Sequence, residues 1–212
     1  PTSVDSALGR EALSWVDAHW MQPSRLGADQ QVRIQAALAQ ALSAQPAGSA
    51  PPWQLVFRRS QIGPNAFALP GGTVVLTDEL VDLVEGEEDV LTAVLAHEVG
   101  HVRERHGMRA VVQVAALGTL ASLVLGDFST VLAAVPLFLG QASYARDAER
   151  EADAYALQVL QAARIHPQVM VTLFKRLADK VPTPQSDGAL GIAFASHPTD
   201  AQRIAFFEQA QQ

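Results

Sequence analysis

The chain has 212 residues, 49% of them hydrophobic and 17% charged, which is enough apolar matter to bury one sizeable core and too little charge for disorder. Fifteen Lys and Arg against 22 Asp and Glu give a net charge of −7 with no basic run, and this excludes a nucleic-acid partner. Cysteine is absent, so disulfides, iron–sulfur ligation and thiol nucleophiles are excluded and any metal must be held by His and carboxylates.

The opening PTSVDSALGR lacks the charged and apolar regions of a signal peptide. Residues 4–20 and 25–43 carry apolar side chains at helical spacing (Leu8, Leu13, Val16 and Trp20, then Val32, Leu38 and Leu42), predicting two amphipathic helices in an N-terminal segment 1–45. AQPAGSAPP at 44–52 is a breaker-rich linker. After it, WQLVFRRS and GGTVVLT read as short strands flanking QIGPNAFALP, which predicts a small antiparallel sheet. From Asp78 onward the pattern is helical over 78–84, 87–106, 109–125, 128–139, 141–163, 167–179 and 199–210. Such a profile gives a mainly helical α+β fold, and we read residues 1–212 as a single domain whose core spans 53–212. The stretch 109–140 forms two apolar runs broken at Gly126 and Asp127. Each run falls short of the roughly 20 residues that span a bilayer. It reads as an apolar hairpin, either buried or laid against a membrane surface. KVPTPQSDGALGIAFAS at 180–196 is the longest irregular stretch, and its part PQSDGALGIAFAS at 184–196 reads as a gate over a cleft.

HEVGH at 97–101 places His97 and His101 one helical turn apart on one face, where both imidazoles can meet a single ion. Glu98 is poorly placed as a third ligand but well placed as general base, assisting attack of a zinc-bound water on a peptide carbonyl. The preceding run VLTAVLA is so apolar that this helix must be buried, and buried imidazoles beside a buried carboxylate need a partner such as a metal. The segment ARDAEREADAYAL at 145–157 offers the third ligand. Glu149 and Asp153 are four apart and share a face, whereas Glu151 is turned away. Glu149 as ligand leaves Asp153 to accept the outer N–H of a ligand histidine, and Arg146 can pair with one of these acids. His106 lies about 140° around a straight helix from His101 and so has a structural role. His19 and His166 read as surface or capping residues. The edge of the strand at 72–77 can take up an extended peptide, with Gly71 and Gly72 permitting close backbone approach or forming a simple turn.

HExxH, RDAEREAD of the form R-x-x-E-x-x-x-D, and SHP at 196–198 with Arg203 five residues beyond the proline together resemble the zinc metalloendopeptidase family that contains HtpX and the CAAX prenyl proteases. NAFALPGGTVVLT is similar to the soluble, BepA-like envelope branch of that family. The resemblance implies a zincin-type, gluzincin-like set of active-site helices and one zinc ion per chain. It implies His97, His101 and Glu149 as ligands, Glu98 as base, and Asp153 and Arg146 as supporting residues. It also implies that His197 lies near the zinc, either contacting a developing oxyanion or occupying the fourth coordination site at rest. The expected substrates are unfolded or misassembled envelope polypeptides, and the expected place is the bacterial periplasm or cell envelope, membrane-associated or lipoprotein-anchored. The competing expectation is a chaperone-like client-binding protein with latent or slow proteolysis.

Overall fold

The structure is a computed structural model that describes residues 2–61, 63–113, 115, 146–180, 197 and 201–210. Helix α1 (Thr2–His19) buries Ala12 and Val16 and leads into strand β1 (Met21–Pro23). The sequence reading predicts helices at 4–20 and 25–43 and assigns no strand between them. Pro23, which has no N–H to give a ladder, is tolerated because β1 is an edge strand. Helix α2 (Ala28–Ser43) buries the stripe Ile34, Leu38, Ala41 and Leu42, while Val32 lies exposed.

Strands β2 (Gln54–Ser60), β3 (Ala66–Ala68) and β4 (Thr73–Thr77) complete a four-stranded sheet in the order β1-β2-β4-β3. The sheet is mixed rather than antiparallel throughout: β1–β2 and β3–β4 are antiparallel, but β2–β4 is parallel, with Val56 opposite Val75. The cause lies in β4. Its five residues TVVLT are buried at every position, so the strand belongs in the sheet interior, and β3 must fold back along its far side. The strand at 72–77 therefore has no free edge for a substrate peptide. Gly71 and Gly72, at φ +83° and +100°, turn β3 into β4. A Cβ on Gly71 would lie 2.6 Å from the Ser6 Cα, and one on Gly72 would lie 2.3 Å from the Pro52 carbonyl oxygen. Both glycines thus serve close packing of the chain on itself.

Alternation along the strands divides the apolar side chains between two layers. Val75 and Phe67 pack with Ala12, Val16 and Met21 on the α1 side, while Val74 and Leu76 join the main core. That core gathers α2, helix α4 (Glu88–Arg103), helix α5 (Arg146–Ala163), helix α6 (Gln168–Lys180) and helix α7 (Ala201–Gln209). Between β4 and α4, helix α3 (Asp78–Leu83) is capped by Thr77, whose Oγ1 accepts from the Leu80 N–H at 3.3 Å. Helices α4 and α5 cross where Gly100 meets Ala152, and a Cβ on Gly100 would lie 3.0 Å from both the Cα and the carbonyl oxygen of Ala152.

The predicted helix at 128–139 and the gate at 184–196 lie outside the described residues. Of the apolar hairpin at 109–140, only residues 109–113 and 115 are described. Among the described residues, no helix is long and apolar enough to cross a membrane.

Candidate active site

Helix α4 is buried almost without interruption from Val90 to His101, so His97, Glu98 and His101 are carried into the interior by its apolar neighbours. Helix α5 brings Glu149 and Asp153 against them, each 2% exposed. Burying five such groups is costly unless they satisfy one another or hold an ion.

Donor atoms of His97, His101, Glu149 and His197 all lie within 4.8 Å of one another. The two Nε2 atoms of His97 and His101 are 3.0 Å apart, and each lies 3.4 Å from a Glu149 carboxylate oxygen. Nδ1 of His197 lies 3.4 Å from His97 Nε2 and 3.1 Å from Glu149 Oε1. Four donors set tetrahedrally about 2.0–2.1 Å from a zinc ion stand about 3.3 Å from one another, so this spacing suits that metal, and the nitrogen and carboxylate donors suit it chemically. These residues fit a zinc ion.

The outer shell supports the same orientation. Asp153 Oδ1 stands 2.8 Å from Nδ1 of His97, a close charge contact rather than a well-aligned hydrogen bond. Arg203, on α7, donates to both Asp153 oxygens at 2.7 and 2.8 Å and reaches Glu149 Oε2 at 2.8 Å. It is this guanidinium that ties the two acids together. Arg146, assigned that place by the sequence, is exposed at the first residue of α5. The sequence signal for Arg203 was its fixed distance after the His197–Pro198 pair.

Glu98 is 1% exposed, with Oε1 3.4 Å from His197 Nε2, and the backbone N–H of Ala68 faces its carboxylate and favours the charged form. Its Oε2 is buried without a hydrogen-bond partner among the described residues. A cavity opens beside Glu98, His97 and His197, with apolar walls from Leu80, Val94, Met170, Leu173, Phe174 and Leu177.

His106 sits behind the cluster rather than on it. Helix α4 ends at Arg103, and Arg105 takes a left-handed φ of +55°. The chain then starts a new helical run at 106–113, which sets His106 Nδ1 2.8 Å from His101 Nδ1. Arg105 is held there by Asp5 of α1 through bonds of 2.9 and 3.0 Å. His19 stacks on Trp15 at the surface, and His166 accepts from the Gln168 N–H at the start of α6.

As protein groups alone, the clustered side chains perturb one another strongly. Burial pushes His97 down, yet the carboxylates of Asp153 and Glu149 outweigh it and raise the imidazole to about 9. Burial drives His101 well below its ordinary value, with the charges of His97 and His197 adding and Glu149 opposing. Burial lifts Glu149 and Asp153, but the surrounding imidazoles, and for Asp153 the Arg203 guanidinium, pull both below the usual carboxylate range. Glu98 moves the other way: burial raises it against the charges of His197 and His97. A raised carboxyl group is suited to proton transfer near neutral pH.

Residues 28–211 match peptidase family M48. The chain belongs to that family. Among relatives of this M48 chain is the mitochondrial metalloendopeptidase OMA1 of Schizosaccharomyces pombe, 34% identical over 166 residues, which are 74% of this chain and 46% of that protein. Another is the beta-barrel assembly-enhancing protease of Escherichia coli strain K12, 32% identical over 154 residues, which are 66% of this chain and 31% of the relative. The OMA1 of Arabidopsis thaliana is 31% identical over 150 residues, 69% of this chain and 29% of its own. The chain thus spans less than half the length of these curated relatives. The metallopeptidase class expected from the motifs is the class of the family.

Proposed function

We propose that this M48 chain is a zinc-dependent endopeptidase acting on unfolded or misassembled polypeptides, with His97, His101 and Glu149 holding one zinc ion and Glu98 serving as general base. The observation that carries this reading is the convergence of four donor atoms within 4.8 Å beside a buried carboxylate. Zinc bound there supplies Lewis acidity, polarising a peptide carbonyl and making water a competent nucleophile near neutral pH. Glu98 takes the proton that the attacking water loses and returns it to the leaving amine. Asp153 and Arg203 hold His97 and Glu149 in register for this work.

Substrate binding is supported at β3 rather than at 72–77. Asn65, Phe67 and Leu69 face β4, since Thr77 N–H bonds to the Asn65 carbonyl and Leu69 N–H to that of Thr73. By the antiparallel alternation, Ala66 and Ala68 present their backbone groups to the opposite edge, the one on which Ala68 N–H meets Glu98. An extended peptide added along this edge passes the base, and one of its apolar side chains fits the adjoining cavity.

His197 supplies the fourth donor position in the described arrangement, and its withdrawal is required to admit substrate. This supports the second reading, a client-binding protein with latent or slow proteolysis. Likeness to the beta-barrel assembly-enhancing protease supports a bacterial envelope location, testable by fractionation. Side chains of α2 and of α4 to α7 in one core support a single metallopeptidase domain.

The test pairs metal analysis with cleavage of casein. Wild type should carry one zinc per chain and cleave; Glu98→Gln should keep the zinc and lose about a hundredfold to ten-thousandfold in rate. Full activity in that variant would overturn the assignment. Glu149→Ala should release the zinc. His197→Ala should keep zinc and cleave faster, whereas a slower rate would give His197 the oxyanion role instead.

A further inference from the structure

A line of three side chains runs from the donor cluster to the surface. Nδ1 of His101 lies 2.8 Å from Nδ1 of His106, and Nε2 of His106 lies 2.9 Å from Oε2 of Glu151. Arg109 donates to the same Glu151 oxygen at 2.9 Å. His106 is 3% exposed, whereas the Glu151 and Arg109 side chains are about half exposed at 46% and 55%.

The bond between two ring nitrogens needs one proton, and the far ends of the line decide which ring carries it. A carboxylate only accepts, so Nε2 of His106 must be the N–H that meets Glu151. Neutral His106 is then bare at Nδ1 and can only accept from His101. His101 therefore carries its proton on Nδ1, and its Nε2 lone pair is left facing His97 and Glu149.

We infer that His106 and Glu151 are positioning residues for His101: the Glu151 carboxylate fixes the tautomer of His106, and His106 fixes the tautomer and ring orientation of His101. The inference rests on the reading of His101 as a zinc ligand. It gives Glu151, turned away from the cluster on α5, a part in metal binding through two imidazoles. It also gives the left-handed Arg105 a purpose, because that turn lets His106 reach His101 from behind.

The experiment measures zinc affinity by chelator competition on the full chain for wild type, His106→Leu, His106→Gln and Glu151→Leu. It also records ring-nitrogen chemical shifts of 15N-labelled wild type and Glu151→Leu. His106→Leu and Glu151→Leu should each bind zinc roughly tenfold to a hundredfold more weakly, the range for lost outer-shell partners of a ligand histidine. His106→Gln, whose side-chain oxygen can still accept from His101, should stay close to wild type. The spectra should show His106 protonated at Nε2 and bare at Nδ1 in wild type, and mixed tautomers once Glu151 is gone. Zinc affinities equal to wild type in both leucine variants, even with a lowered melting temperature, would make His106 a packing residue and overturn the relay. A proton on His106 Nδ1 would also overturn it. A wild type that binds no zinc sinks the endopeptidase reading, and the spectra then decide the relay alone.

Discussion

Replacing Gly100 by Ala tests whether the close crossing of α4 and α5 is what assembles the site. In a helix interior the exchange normally stabilises, by about 0.5–1 kcal/mol. Here the new Cβ would lie 3.0 Å from the Ala152 Cα and carbonyl oxygen and 3.3 Å from the Tyr155 Cβ. Carbon atoms in good contact stand about 3.5–4.0 Å apart, so the shortfall is about 0.5 Å or more. Two of the opposing atoms are backbone, so no rotamer change relieves them, and overpacking of this kind costs about 1–3 kcal/mol. A clash of about 2 kcal/mol less a helix gain of about 1 kcal/mol leaves a net loss of about 1 kcal/mol. The more telling effect is on geometry. Ala152 lies between Glu149 and Asp153, so parting the helices by half an ångström draws both acids away from His97 and His101. Urea denaturation of the zinc-free chain reads the stability, and chelator competition reads the zinc affinity, which should fall at least tenfold, as for a misplaced ligand. A Gly100→Ala chain as stable as wild type with unchanged zinc affinity would refute the idea that this glycine sets the distance between ligand helices.

Arg203→Met should cost about 3–5 kcal/mol in urea denaturation, because it leaves the buried Glu149 and Asp153 without the cation that joins them; a loss under 1 kcal/mol would show that the imidazoles suffice. Thr77→Val removes an oxygen that accepts from the Leu80 and Asn65 N–H groups and donates to the Asn65 carbonyl. It should cost about 1–3 kcal/mol and raise KM by loosening the start of β3, and an unchanged KM would argue against a substrate edge there. Tyr155 is raised above its ordinary value by burial, against the nearby Arg103 charge. Its neutral form is favoured in the folded chain, so its contribution is intact below the unfolded tyrosine pKa of about 10 and is lost as pH rises through the higher folded value. Tyr155→Phe should therefore flatten the loss of stability above pH ~10 in alkaline urea melts, and an unchanged slope would assign that loss to other groups.

What the sequence reveals of the site is what helical periodicity carries. His97 and His101 on one helix, and Glu149 with Asp153 on another, can be paired by spacing alone, because an α-helix fixes which side chains share a face. The partner of the two acids cannot be found in this way. Arg146 is near Glu149 along the chain, but at the first residue of α5 it is exposed, and the cation that reaches the buried acids comes from α7. That approach depends on Phe207 seating beside Phe174, a contact between distant segments. His106 shows the limit of periodicity itself: the 140° offset from His101 holds only along a straight helix, and Arg105 breaks the helix between them.

The sheet carries a signal of a different kind. TVVLT does not alternate in polarity, and a strand apolar at consecutive positions is buried on both faces and belongs inside a sheet, not at its edge. Once β4 is placed inside, some other segment must form the edge beside α4. The three residues of β3 have no pattern of their own that would announce them, yet the hairpin through Gly71 and Gly72 puts them there. The edge residue Ala68 then turns its backbone N–H toward Glu98, which makes a strand with no signature of its own the one that borders the base.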